Sequence, residues 1–170
     1  EHSAVPFETS GAQILSINNV DNDSTNATSR YWMYTINKEQ YLNGSDWVLP
    51  TTLINENDEI IVYCGSAASY PFVESQLQGN GDVMLTFTAY QYDSSWNLAL
   101  LPIEGVTVNW AVGTDNAFIT TSDENGRAVI PAIKAGQGSY TLQINKLGAD
   151  NVPAVIRLAP GYEFQVTSEG

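Results

Sequence analysis

Apolar and polar residues alternate with a period of two along much of this chain, the signature of half-buried β-strands. Val83, Leu85, Phe87 and Ala89 fall on one side of a strand, and Val106, Val108, Trp110 and Val112 on one side of another. Tyr140, Leu142 and Ile144 mark a third, and Tyr162, Phe164 and Val166 a fourth. Earlier in the chain, Ala12 to Ile17, Tyr31 to Ile36, Trp47 to Leu49 and Glu59 to Cys64 read as shorter strands, with Trp32, Tyr34 and Ile36 sharing one face. Polar stretches separate them: a long loop from Asn18 to Ser29, a turn at Asn55 to Asp58, and Asp123-Glu124-Asn125-Gly126, whose Asn-Gly pair suits the positive φ angles of a tight hairpin. Pro131, Pro153 and Pro160 sit at strand borders, where a missing N–H does least harm. No segment reads as a helix. The expected fold is all-β, in two small modules.

Gly65-Ser66-Ala67-Ala68-Ser69 and Gly79-Asn80-Gly81 interrupt the alternation and place the boundary. The reading is a first β module over residues 1–65, a linker or first strand over 66–81, and a β-sandwich over 82–170. Strands spaced about 8–12 residues apart point to a sandwich.

The charge balance narrows the partners. Nineteen acidic residues against 6 Lys and Arg give a net charge of −13. Phosphate binding needs clustered cations, so nucleic acid is disfavoured, as is an anionic membrane surface. Only 15% of residues are charged; the polar surface is mostly Asn, Ser, Thr and Gln, as suits an extracellular β-protein. No apolar run approaches the roughly 18 residues of a membrane span, and no signal sequence opens the chain, which starts at Glu-His-Ser and reads as processed or trimmed. Cys64 is the single cysteine, so an internal disulfide framework is ruled out, and it reads as a small buried hydrophobe.

Catalytic chemistry is poorly represented. His2 is the only histidine and lies at the terminus, where no Ser-His-Asp or Cys-His set forms unless the terminus folds back. The pairs Asp58/Glu59 and Asp123/Glu124 fall in turns, where solvated carboxylates are the rule. Gly79-Asn80-Gly81 lacks the lysine and helix of a phosphate loop. No cofactor is implied. Asp21, Asp23 and Asn26 offer hard oxygen ligands for calcium, without the glycine and closing glutamate of an EF-hand loop. Asn22, Asn26 and Asn43 stand in sequons and are the candidate glycosylation sites. Trp32, Tyr34, Trp47 and Trp96 are the candidate ligand or subunit contacts, because aromatics supply much of the energy of protein contacts; Tyr63 clusters with the first three, and core packing is the competing role for that cluster. Trp96, in the polar loop from Tyr92 to Asn97, is expected to be exposed.

The runs Ile14 to Asn18, Trp32-Met33-Tyr34-Thr35-Ile36-Asn37, Gly44-Ser45-Asp46-Trp47-Val48-Leu49 and Asn57-Asp58-Glu59-Ile60-Ile61-Val62-Tyr63 resemble the transcobalamin-like C-terminal domain family. That is a β-grasp-like module of secreted and surface proteins. The family carries Asn-Gly where this chain has Asn37-Lys38, and Gly-Asp where it has Asn57-Asp58. Its members place a strand and a helix before the Ile-Leu-Ser-Ile element. Residues 1–11 are too few for both, which implies either that the chain is a fragment or that the module is incomplete alone; an incomplete sheet is open to a strand from elsewhere.

The second module resembles bacterial or archaeal immunoglobulin-like or carboxypeptidase-regulatory-like sandwiches, on Gly105 to Trp110, Thr120 to Ala128 and Gly136 to Leu142. Such modules serve as spacers or stalks. Together the resemblances imply a non-catalytic cell-surface protein of structural or adhesive role. It would engage neighbouring surface proteins or copies of itself, with binding of a corrinoid or a glycan as the alternative.

Overall fold

The computed structural model describes residues 7–10, 13–17, 20–22, 31–38, 55–65, 68–148, 151, 153–158 and 161–166. The described residues are all-β. The chain divides into two compact units, Glu1–Tyr70 with Leu147–Ala154, and Pro71–Lys146 with Val155–Gly170. The division at Tyr70 falls inside the expected boundary region. The excursion of Leu147–Ala154 into the first unit has no counterpart in the sequence reading.

In the first unit β1 (Phe7–Ser10), β2 (Gln13–Ile17) and β3 (Val20–Asp21) form an antiparallel sheet in that order. A bulge between Glu8 and Thr9 interrupts the register of β1 on β2. β3 occupies part of the stretch read as a loop from Asn18. β4 (Tyr31–Ile36) pairs antiparallel with β5 (Ile60–Gly65), Trp32 opposite Cys64 and Ile36 opposite Ile60. Met33, Tyr34 and Thr35 are all buried, so β4 is covered on both faces and not on the single face that period-two alternation suggests. Cys64 is half-buried. The expected strand Trp47 to Leu49 lies outside the described residues.

The second unit is a sandwich of two four-stranded sheets. β6 (Phe72–Leu77), β7 (Val83–Tyr92), β8 (Leu98–Pro102) and β11 (Arg127–Ile130) make one sheet. The other runs in the order β10 (Phe118–Thr121), β9 (Thr107–Trp110), β12 (Gly138–Asn145), β13 (Tyr162–Val166). The segment read as a linker or first strand is therefore β6, paired along β7 from Phe72 opposite Thr88 to Leu77 opposite Val83. β8 and β11 share the other flank of β7, β11 beside Val83 to Thr86 and β8 beside Thr88 to Tyr92.

The alternating residues of the sequence meet in one core. Val83, Leu85, Phe87 and Ala89 face Val106, Val108, Trp110, Leu142 and Ile144 across the sandwich, with Ala128 and Ile130 beside them. Burying such side chains stabilises by roughly 1.5–3 kcal/mol each, which makes this face the main source of fold energy. Trp110 is fully buried, stacks on Tyr140 at 4.4 Å, meets Phe164 edge-on at 5.7 Å, and donates its indole N–H to the carbonyl of Lys134 at 3.0 Å. The Tyr140 hydroxyl donates to the carbonyl of Gly136, four residues upstream, at 2.7 Å.

Two expectations change. Val112 is exposed and outside β9, because Ala111 adopts a positive φ of 50° and its carbonyl takes the amide and hydroxyl of Thr114, turning the chain. The turn at Asp123 to Gly126 forms, with Gly126 at φ 72°, yet it is not a hairpin. It carries the chain from β10 in one sheet to β11 in the other. Local sequence specifies the turn; the sandwich decides which strands pair on either side of it.

Candidate interaction surface

Three turns of the second unit share one backbone design. In each, two amide-to-carbonyl bonds close a type I-like turn that ends in a residue of positive φ, the three-residue pattern of hairpin loops. Gln78 N–H donates to Asp82 and Gly81 N–H to Gln78, both at 2.8 Å. Asp123 N–H donates to Arg127 at 2.8 Å and Gly126 N–H to Asp123 at 2.9 Å. Between β7 and β8, Asp93 N–H donates to Asn97 at 2.9 Å and Trp96 N–H to Asp93 at 3.0 Å. The residue of positive φ is Gly81 (86°), Gly126 (72°) and Trp96 (60°). Two turns thus place glycine where the left-handed conformation carries no Cβ penalty, and the third places tryptophan.

The carboxylate of Asp93 holds that third turn. Its Oδ1 accepts the amides of Asn97 at 2.9 Å and Ser95 at 2.8 Å. These donors favour the ionised form and hold the Asp93 carboxyl below its usual value, the Asn97 amide most. The same Asx geometry recurs at Asp123, whose Oδ1 accepts from Asn125 and Arg127.

Trp96 is 81% exposed and leans on the exposed Tyr92, ring centroids 6.0 Å apart. Directly opposed residues of a sheet share a face, so Leu98, Leu100 and Pro102 of β8 lie with Tyr92, Tyr90 and Thr88 on the outer side of the sheet. Leu98 is 43% and Leu100 50% exposed. Tyr90 is steadied by Phe72 in an edge-to-face contact at 5.9 Å. The result is an apolar, aromatic-rimmed strip running from the turn along β8, with no charged residue from Ser94 to Ile103. The sequence located Trp96 and missed the strip. Leu98-Ala99-Leu100-Leu101 is a continuous apolar run, which period-two reading does not resolve into an inner and an outer face.

The other candidates separate. Tyr34, read as a contact residue, is only 5% exposed, because β4 is covered on both faces; it belongs to the interior of the first unit and not to a contact surface. Trp32 is half-buried and fixed by its own hydrogen bonds: its indole N–H donates to Val20 at 2.7 Å, and its amide to Oδ1 of Asn22 at 2.8 Å. Asn22 is half-buried beside that contact. Trp47, Asn26, Asn43, Asp23 and His2 lie outside the described residues. Asp21 is exposed on β3, and among the described residues no group of three His, Cys, Asp or Glu side chains converges as a metal site.

The carboxylate pairs are engaged in turns. Asp58 accepts the Asn55 amide at 2.7 Å and the Asn37 side-chain amide at 2.9 Å, which hold its carboxyl below the usual range, the Asn55 amide most. Glu59 forms an ion pair with Lys38 at 2.9 Å, and the Lys38 ammonium lies 5.2 Å from the ring centre of Tyr70. A cleft of about 180 Å³ between β6 and β13 is lined by Gln76, Leu77, Val83, Phe164 and Val166 among others. It is smaller than the roughly 300–1,000 Å³ of pockets that enclose organic ligands and would not enclose a corrinoid. No described helix is long and apolar enough to cross a membrane.

Comparison with protein-family models, with curated proteins and with solved structures returns no match, so the site is read from its own residues.

Proposed function

We propose that this chain is a non-catalytic, extracellular structural protein of a cell surface that joins its neighbours by β-strand addition. The observation that carries this reading is β8: an uncharged strand with exposed leucines that, among the described residues, pairs only with β7. An apolar edge of this kind templates another strand, and natural sheets that avoid pairing place charges there. β6 carries Glu74 and β13 carries Glu163; β8 carries none. The joint was expected at residues 1–11; β8 is an open edge in the second unit.

Two features support the family likenesses on which the surface role rests. Apart from β8, which pairs with β7 and has no counterpart there, the order β6, β7, β11 on one side and β10, β9, β12, β13 on the other is similar to that of an immunoglobulin-like sandwich with its C′ strand on the second sheet. The buried Trp110 on the third core strand, and the Tyr140 hydroxyl bonded back to Gly136, fit the same pattern. In the first unit Lys38 (φ 62°) and Asn57 (φ 81°) adopt left-handed conformations at the two positions where the transcobalamin-like family has glycine.

The test is negative-stain microscopy with light scattering on protein isolated from its native surface. Filaments, sheets or defined oligomers are expected; a clean monomer of 18.5 kDa without associated protein would overturn the reading. The exposed ring pair Tyr92 and Trp96 favours one second reading, a glycan lying flat on the rings. Tryptophan fluorescence during a glycan titration, lost in Trp96→Ala, separates the two.

A further inference from the structure

We infer that the strand added to β8 is β8 of a second copy, paired antiparallel about a two-fold axis at Leu100; this rests on the assembly reading above. Antiparallel ladders alternate bonded and non-bonded pairs. At one end of the β7–β8 pairing, Asp93 N–H donates to Asn97 at 2.9 Å, and at the other Ile103 N–H donates to Phe87 at 2.9 Å. Odd-numbered residues therefore spend their backbone groups on β7. The N–H groups of Leu98 and Leu100, and the carbonyls of Leu98, Leu100 and Pro102, point away from it.

That outward set is self-complementary. With Leu100 opposite Leu100 of the other copy, the two residues exchange both of their bonds. Leu98 then stands opposite Pro102, and its N–H reaches a proline carbonyl in each copy. Pro102 has no N–H to give, so the ladder closes at four bonds and the contact has a defined length. Leu98, Leu100 and Pro102 share one face, and the axis joins the two sets into a continuous apolar strip edged by Tyr90 and Tyr92. Because an isologous contact sets each residue against its own kind or its mirror partner, it is satisfied by uncharged residues alone.

The lack of charge along this edge admits a copy as the occupant, and the self-complementary register favours it. Each chain carries −13, so two copies can meet closely only where the surface is uncharged. The stretch from Ser94 to Ile103 meets that condition. A basic partner finds no carboxylate along this edge to pair with. Within the second unit β10 is also an uncharged edge, but threonine fills two of its four positions, so it offers less apolar pairing than β8.

The test uses the full chain with Leu100→Lys and Leu100→Glu, separately and mixed, in analytical ultracentrifugation. The native chain is expected to dimerise, more tightly as salt screens the net charge. Each variant alone places like charges on the axis and is expected to dimerise at least about 100-fold more weakly. An equimolar mixture is expected to recover a heterodimer, because position 100 faces itself. Glu74→Lys, on the opposite edge, is expected to leave the dimer intact and serves as the folding control beside circular dichroism.

A native chain that stays monomeric at every concentration and salt overturns the second-copy inference while leaving assembly with a different surface protein to the microscopy. Loss of association in both variants without recovery on mixing overturns the symmetric register and keeps β8 as the joint. Variants that associate like the native chain overturn both.

Discussion

Phe87 donates its amide hydrogen to the carbonyl of Gly126 at 2.8 Å, while its own carbonyl accepts the amide of Ile103 at 2.9 Å. This one residue of β7 is where the flank passes from β11 to β8. Gly126 fits there for two reasons. Its φ of 72° is left-handed, and an added Cβ would run into the Phe87 carbonyl oxygen and lie 3.1 Å from the Ile103 nitrogen. Both obstacles are backbone, which cannot rotate away.

Gly126→Ala is therefore expected to destabilise the chain by about 3 kcal/mol, from left-handed strain and the backbone clash together. Urea denaturation followed by tryptophan fluorescence measures this directly. A loss below about 1 kcal/mol would show that the turn shifts without disturbing the two half-strands.

Ser122 closes the same corner from the inside. Its buried hydroxyl donates to the carbonyl of Ile103 at 2.7 Å and accepts the amide of Val106 at 2.9 Å. Ser122→Ala leaves both backbone groups short of a partner in a dry environment, and is expected to lose about 2 kcal/mol. The denaturation midpoint should drop with an unchanged slope. Equal stability of the two proteins would mean that water replaces the hydroxyl.

Trp96→Gly tests whether the exposed tryptophan is held against backbone preference. Glycine removes the left-handed penalty, so a gain of about 1 kcal/mol is expected. The glycine at Gly126 shows that the turn design accepts it. Should stability fall, the contact of Trp96 with Tyr92 outweighs the strain, and the residue is explained without recourse to binding.

Acid stability should follow the turn aspartates. The Asp58 and Asp93 carboxyls are held below the ordinary 3.8 by backbone donors, from Asn55 and from Asn97 respectively. A group whose folded value is depressed contributes stability that is present above its unfolded value and lost as pH falls through the folded one. Melting temperature is thus expected to fall as pH drops below about 3.8. Asp93→Asn should flatten that decline, and an acid limb of unchanged slope in this variant would show that the Asp93 turn does not contribute to it.

The residues that alternate most cleanly were those the sequence placed best. Val83 to Ala89 and Tyr140 to Ile144 bury one face only, and that is what a period of two reports. Asp123-Glu124-Asn125-Gly126 was identifiable as a turn because Asx bonding and positive φ are local properties. Trp96 could be read as exposed from its polar neighbours.

Non-local outcomes followed other physics. Whether the Asp123 turn joins two strands of one sheet or crosses between two depends on how both faces of β7 and β9 close the core. Tyr34 is hidden because β4 is buried on both faces, which its own residues do not encode. β8 becomes an open apolar edge because β11 takes the first half of the flank of β7 and leaves the second half to Leu98–Pro102. Residue by residue, then, an acidic, all-β chain with most of its core positions and turns was legible in the sequence, since side-chain period and turn chemistry are local. Strand pairing, and with it the free edge and the outward set of hydrogen-bonding groups, was decided only in the tertiary structure, where segments distant in sequence compete for the same flank.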